Sequence, residues 1–411
     1  MNKNKLVLIF LFAASVLLSG CYDDREIDET GYIIAVGIDT SDDGDYKYTF
    51  QFSAPLAASS GGEEDDDEPS GKMFDAENPT VNNVVVKAQN FYVAKNMLNN
   101  FLSKNIDMSH LKLIVFSYDM EKDGFMRHSQ LLQYEREVRP HTKLAVAEDS
   151  AEAFIRSVNP ELEANTSKYY ELMALRSNNI YAPEKELRDF TDESSTMCKS
   201  SVLPLACVLE YTSSADFKMS EEERKPWVDA EGARVSTSRS DLRGMAVFKD
   251  RELLGKMDAD SALIYNIMMR DVKYCTVSIR NPNNENEIMT LGISIPKKAA
   301  YKIDRNGGKT HITARMTLNA EFIGEQLPTG FDTYDEMYGY AEKIISGKIS
   351  DFLYSLSDDF GADILNIGKC IRGRYLTIRD WEKANWEEEF KNAEFGAEVK
   401  LRHTGAESDA V

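Results

Sequence analysis

The chain has 411 residues, 42% of them apolar, and a formal charge of −21. That length exceeds what one core usually organises and predicts two or three domains. So acidic a surface repels nucleic acid and anionic membrane faces alike, which excludes a nucleic-acid binder and any attachment to a membrane by net charge alone.

The chain opens with Lys3 and Lys5, an apolar run from Leu6 to Leu18, and then Leu18, Ser19, Gly20 and Cys21. A basic start, a short apolar core and small residues before the cut describe an export signal, too short to span a bilayer as a helix. The cysteine at its end makes it a lipobox. Residues 1–20 are predicted to be removed and Cys21 to receive a diacylglyceryl group through its sulfur, because two acyl chains give the stable anchoring that one does not. About 390 residues would then stand outside the cytoplasmic membrane. Of the remaining cysteines, Cys198 and Cys207 could pair across neighbouring strands. The four, with Cys275 and Cys370, are spaced for no zinc site and read as core residues without a structural disulfide.

Gly31 to Asp39 reads as a strand covered on both faces, and Tyr46, Tyr48, Phe50 and Phe52 alternate with polar residues as in a half-buried strand; Asp42, Asp43 and Gly44 make the turn of a hairpin. Residues 57–71, with six adjacent acids from Glu63 to Glu68, are predicted to be a disordered acidic loop, since repelling carboxylates without apolar cover do not pack. They lack the spaced ligands of a calcium loop. Thr80 is predicted to cap a long helix through Val84, Ala88, Phe91, Lys95 and Leu98. A strand at Leu111 to Ser117, a helix around Leu131, a strand at Lys143 to Ala147 and a helix from Asp149 to Ser157 follow.

Short helices are predicted at Ser167 to Leu175 and Glu184 to Phe190, then strands at Val202 to Tyr211 and Val235 to Phe248 about a polar connector, Ser213 to Glu231. A helix at Asp258 to Met269 precedes four strands: Val272 to Arg280, Glu287 to Ile295, Ala299 to Ile303 and Thr310 to Glu321. Asn306 and Gly307 signal a hairpin between the last two. Met337, Ala341, Ile344, Ile345, Ile349, Phe352, Leu353 and Leu356 make one face of a seven-turn helix, and Glu394 to Arg402 is a closing strand for the same sheet.

These elements predict an α+β protein of three mixed domains, with largely antiparallel sheets packed by helices: 21–195, a small middle domain at 196–255, and 256–411.

No catalytic constellation emerges. There is no nucleophile elbow, and the histidines, His110, His128, His141, His311 and His403, are not paired at metal spacing. Gly307, Gly308, Lys309 and Thr310 end like a phosphate loop, but they sit between strands and lack its first glycine, so they read as a turn. No cofactor and no metal are predicted.

Cys21 followed by Asp23, Asp24, Arg25, Glu26, Ile27 and Gly31 resembles the lipidated start of the Ger(x)C spore germination lipoproteins. Three further stretches resemble that family in its order. They are His110 with Leu111 to Val115 and later Arg136, Glu137 and Arg139; Gly244, Ala246, Val247, Phe248, Lys249, Leu253 and Gly255; and Asp359, Phe360, Gly361, Trp381, Trp386, Phe390, Val399 and Gly405. Tyr22, where the family usually has tryptophan, and the long acidic insertion depart from it. The resemblance implies three α+β domains and a subunit of a germinant receptor on the outer face of the spore inner membrane, beside two integral membrane subunits of A and B type.

A non-enzymatic assembly subunit is therefore the leading expectation, with Cys21 for attachment and Asp23, Arg25 and Glu26 set just above the headgroups. Trp381 and Trp386 are either contact anchors or core. A solute-binding lipoprotein of a transporter is the alternative; it needs two α/β lobes about a cleft. A cell-wall hydrolase fits the compartment but has no nucleophile or metal set.

Overall fold

A computed structural model of the chain describes residues 4, 30–53, 81–102, 104–120, 124–160, 165–175, 179–195, 200–209, 226–228 and 239–403. Apart from residue 4, the expected export signal lies outside them, as do the expected lipidation site, the acidic segment 57–71 and Cys198.

The first strand, β1 (Thr30–Thr40), is buried along most of its length, as its continuous apolar run predicts. Its side chains enter two cores, Ile33, Val36 and Ile38 one and Ile34 and Ala35 the other, the alternation being broken once by an irregularity between Ile33 and Ala35. It pairs antiparallel with β2 (Tyr46–Ser53), so the predicted hairpin is present. On its other side it pairs in parallel with β4 (Asn105–Asp107) and then β5 (Leu113–Ser117). The sheet continues through β6 (Lys143–Ala147), β7 (Ser200–Leu209), β8 (Arg239–Lys249) and β9 (Glu252–Met257), with β3 (Val81–Ala88) on the outer side of β2.

Two features differ from the sequence reading. The helix expected from Thr80 is two elements: strand β3, then helix α1 (Phe91–Phe101), which starts at Asn90, whose side chain accepts the Val93 amide. Val84, Val85 and Val86 are β-branched, stiff at χ1 and matched to the open edge of β2, so pairing overrides the helical spacing. The small middle domain expected over 196–255 is not a layer of its own. Its strands β7, β8 and β9 extend the first sheet, with Val146 paired to Leu205 and Ala147 to Ala206.

Helices cover both faces of this sheet. Helices α1, α2 (Gly124–Tyr134) and α5 (Leu187–Ser195) supply Phe91, Leu98, Phe125, Leu132 and Phe190 to one core; α3 (Ala151–Ser157) and α4 (Thr166–Met173) supply Phe154, Ile155 and Tyr170 to the other. Asp39, at the far end of β1, accepts the Ala151 and Glu152 amides at 2.7 and 3.0 Å and so fixes the start of α3.

Beyond the sheet, α6 (Ala259–Met269) is buried nearly all round. A second sheet follows: β10 (Tyr274–Asn281), β11 (Asn284–Ser294), β12 (Ala300–Asn306), β13 (Lys309–Phe322) and β14 (Glu394–His403). β13 is its spine. It lies antiparallel to β11 and β12 on one side and parallel to β14 on the other, so the closing strand joins the predicted sheet without extending its antiparallel pattern. Gly307 and Gly308, both at positive φ, form the turn between β12 and β13. The long helix α7 (Tyr334–Ser355) lays Met337, Ala341, Ile345, Ile349, Phe352 and Leu353 into the core, and its wet side is the one the sequence predicts. It runs into a wider turn at Leu356–Phe360, which ends on Gly361 at φ 56°.

One buried polar pair sits inside the first core. His128 Nδ1 donates to the Gly124 carbonyl at 2.9 Å, which leaves Nε2 to accept from the Tyr48 hydroxyl at 3.0 Å, so the ring is held neutral. Burial is the main cause that pushes its pKa below 6.5. A depressed folded pKa gives stability that is whole above pH 6.5 and is lost as pH falls through the folded value. In His128→Gln, unfolding stability should lose this part of its decline between pH 7 and pH 5, read by urea denaturation at each pH. Phe248, fully buried between Phe125 and Phe190 at ring distances of 4.9 and 5.2 Å, is the packing centre of the same core. Phe248→Ala should cost roughly 3–5 kcal/mol in chemical denaturation.

Candidate functional site

Of the residues singled out in the sequence, Cys21, Asp23, Arg25 and Glu26 lie outside the described residues. They lead directly into Thr30, the first residue of β1. Trp381 and Trp386 are described, and both are buried, at 5% and 4% exposure. Their rings stack 6.3 Å apart, Trp381 on α9 (Ile378–Ala384) and Trp386 on α10 (Trp386–Lys391), which follow α8 (Lys369–Arg372). Of the two sequence readings for this pair, the buried one describes them: neither offers the ring surface a contact anchor needs.

Their local purpose is visible in Asp363. Its carboxylate accepts the Ile367 and Gly368 amides, both at 2.8 Å, and the Trp386 Nε1–H at 2.9 Å. Burial pushes this carboxyl above its ordinary pKa, while the three N–H groups hold it down. The clasp closes the turn after α7 against α10. A Cβ on Gly368 would lie 2.6 Å from the indole nitrogen, so glycine is required for that approach.

The two sheets meet in a joint built from both polar and apolar parts. Segment 179–186 bonds both the first sheet and helix α6. The Asn266 side-chain amide, on buried α6, donates to the Ile180 and Ala182 carbonyls at 3.0 Å each, Asn179 donates to the Leu242 carbonyl, and the Gly244 amide donates to the Tyr181 carbonyl. Lys185, buried in the same segment, bonds both Glu193 oxygens, at 2.6 and 2.8 Å, and Ser201 adds a third bond to that carboxylate. On the far side, Lys249 Nζ donates to the Gly361 carbonyl at 2.8 Å and pairs with Glu387 at 3.1 Å. A Cβ on Gly255 would lie 2.9 Å from the Phe360 ring. Apolar residues fill the rest: Val202, Met245, Val247 and Met257 from the first sheet share one core with α6, α7 and the second sheet.

Residues 23–206 match the family described as "Spore germination protein N-terminal domain", and residues 243–405 match "Spore germination B3/ GerAC like, C-terminal". The chain belongs to the GerAC-like spore germination proteins, the germinant receptor C subunit family. Its fold resembles that of a solved structure titled "Crystal Structure of the GerBC protein", with a TM-score of 0.50 at 15% identity, over 90% of this chain and 97% of that one. No curated protein matches the sequence.

Several residues that carry the resemblance in the sequence converge on the joint: Lys249 and Gly255 from the second block meet Gly361 and Phe360 from the last, and Gly244 bonds Tyr181 in the 179–186 segment. In this GerAC-like chain they set the two sheets against each other. His110, from the first block, packs edge-on against Tyr32 at 4.7 Å beside the start of β1. Asn266 and the 179–186 segment carried no signal in the sequence, because each pairs with residues more than 60 positions away.

Among the described residues no group of three or more His, Cys, Asp or Glu is placed to hold a metal ion, and no helix is long and apolar enough to cross a membrane. Cys275 is buried, and burial raises its thiol pKa to about 12, so it is inert at neutral pH. Asn266→Leu, which keeps the branched shape but leaves the Ile180 and Ala182 carbonyls without their donor, should destabilise the protein by about 2–4 kcal/mol. Limited proteolysis should then cut faster between the sheets than in the parent.

Proposed function

We propose that this protein is a lipid-anchored, non-enzymatic subunit of a germinant receptor. It is held by a diacylglyceryl group on Cys21 at the outer face of the spore inner membrane. There it contacts the extracytoplasmic faces of two integral membrane subunits, of A and B type, and is needed for their assembly or for signalling after a nutrient binds. The observation that carries this reading is the order of features along the chain: a lipobox followed by both blocks of the spore germination family. The geometry supports a mechanical role. A joint made of shared core and buried hydrogen bonds lets the two sheets act as one body, so that a displacement at one end reaches the other.

A solute-binding role draws some support from the first sheet, whose parallel strands β1, β5, β6 and β7 with covering helices are of the type a binding lobe uses. The second sheet is of another type, and shared core fills the space between the two where a cleft would lie. Calorimetry of the intact protein with germinating nutrients separates the readings: heats of tight binding favour the solute binder, their absence the assembly subunit.

For the proposed role itself, Cys21→Ala should lower the membrane-bound fraction in spores by roughly tenfold or more, since two acyl chains supply the stable anchoring. Germination in response to the cognate nutrient should fall with it. Normal nutrient responses in a strain lacking the gene, or undiminished membrane retention of Cys21→Ala, contradict the proposal.

A further inference from the structure

Helix α1 turns an apolar stripe to solvent. Val93, Met97 and Phe101 are 41%, 52% and 70% exposed, and their spacing of four places them in one row. Phe91, Ala94 and Leu98 already fill the buried side of the helix, so these three are surplus to the core. The sequence around them is free of acid, although in the fold Lys87 pairs with Asp43 and Lys95 with Glu135 and Glu137. Residues 78–106 contain no Asp or Glu, in a protein that has 69, and carry Lys87, Lys95 and Lys104.

The position of the stripe says what covers it. Helix α1 ends where β1 begins: Thr30 pairs with Asn105 and Gly31 with Ile106, a few residues after Phe101. Nine residues lead from Cys21 to Thr30, and at about 3.3–3.6 Å per residue they reach roughly 30 Å at most. The helix, at about 1.5 Å per residue, is some 16 Å long. The tether therefore lets α1 lie flat on a bilayer that holds Cys21, and keeps Phe101 from rising far above it. Nearby on the same sheet face, the end of α2 adds Tyr134, 82% exposed, with exposed Arg136 and Arg139 in the turn that follows. That turn is fixed to α1 by Lys95, which pairs with Glu135 and Glu137 at 3.1 and 3.3 Å. Aromatic and basic side chains beside an apolar stripe are what a headgroup interface accommodates.

We propose that the Val93, Met97 and Phe101 face of α1 docks onto the lipid bilayer, and so fixes the orientation of the whole body over its anchor. The inference rests on the anchoring of Cys21 proposed above. It is tested on the full lipidated protein reconstituted in phosphatidylethanolamine and phosphatidylglycerol vesicles with brominated acyl chains. Met97→Trp and Phe101→Trp are compared with Ile288→Trp, an exposed position on the second sheet; the native Trp227, Trp381 and Trp386 are buried and give the baseline.

The emission added at 97 and 101 should drop about twofold or more on bromination, and that at 288 should not change. The same response to bromination at all three positions overturns docking. Shielding of 97 from aqueous acrylamide without quenching by brominated lipid overturns it too, and points instead to a second copy, a protein partner or the chain's own acidic segment. Flotation of the same vesicles keeps the two ideas apart. A chain that floats with position 97 wet fails docking alone, whereas a chain that does not float fails the anchor and docking together.

Discussion

The constraint on which the structure depends is the burial of β1. Beyond an irregularity between Ile33 and Ala35, the strand pairs on both edges and sends Ala35 to one core and Val36 and Ile38 to the other, so that stretch cannot slip by one residue without inverting both faces. It is also the first described strand of the fold, and Thr30 follows Cys21 by only nine residues. The segment that carries Cys21 thus leads into an interior strand of the nine-stranded sheet rather than into a loop at its margin.

Force or displacement entering at β1 has a short path onward. The first sheet leads through β7 and β8 into the joint, where Asn266 ties α6 to the 179–186 segment, that segment bonds Gly244 of β8, and Lys249 bonds Gly361 after α7, while a core shared with the second sheet fills the space between. A buried hydrogen-bonding group is costly to leave unpaired, so these bonds select one arrangement of the elements that meet in the joint. The Asp363 clasp extends the same logic to the last turn, using Trp386 as a donor inside the core.

Much of this was legible in the sequence wherever a local period decided the outcome. The alternation along β13, the stripe of α7, the Asn306 and Gly307 turn signal and the two-faced burial of β1 each follow from residues within one element. What failed was non-local or contested. Val84 to Val86 share helical spacing with Phe91 and Leu98, and only the open edge of β2 reveals them as a strand. The attachment of β7, β8 and β9 to the first sheet depends on two residue pairs between β6 and β7, which no pattern within either strand announces. Trp381 and Trp386 carried two readings because tryptophan serves cores and interfaces alike, and burial separates them. The family residues were visible as motifs, but their meeting at the joint is a property of the fold.

In the proposed role a short lipid tether at Cys21 leads into a buried interior strand. The most direct test is intact mass and N-terminal peptide analysis of the protein taken from spore membranes. The account predicts a mature chain that begins at Cys21 and carries a thioether-linked diacylglyceryl group. A chain that keeps residues 1–20, or one that starts at an unmodified residue and is recovered free of membrane, contradicts it.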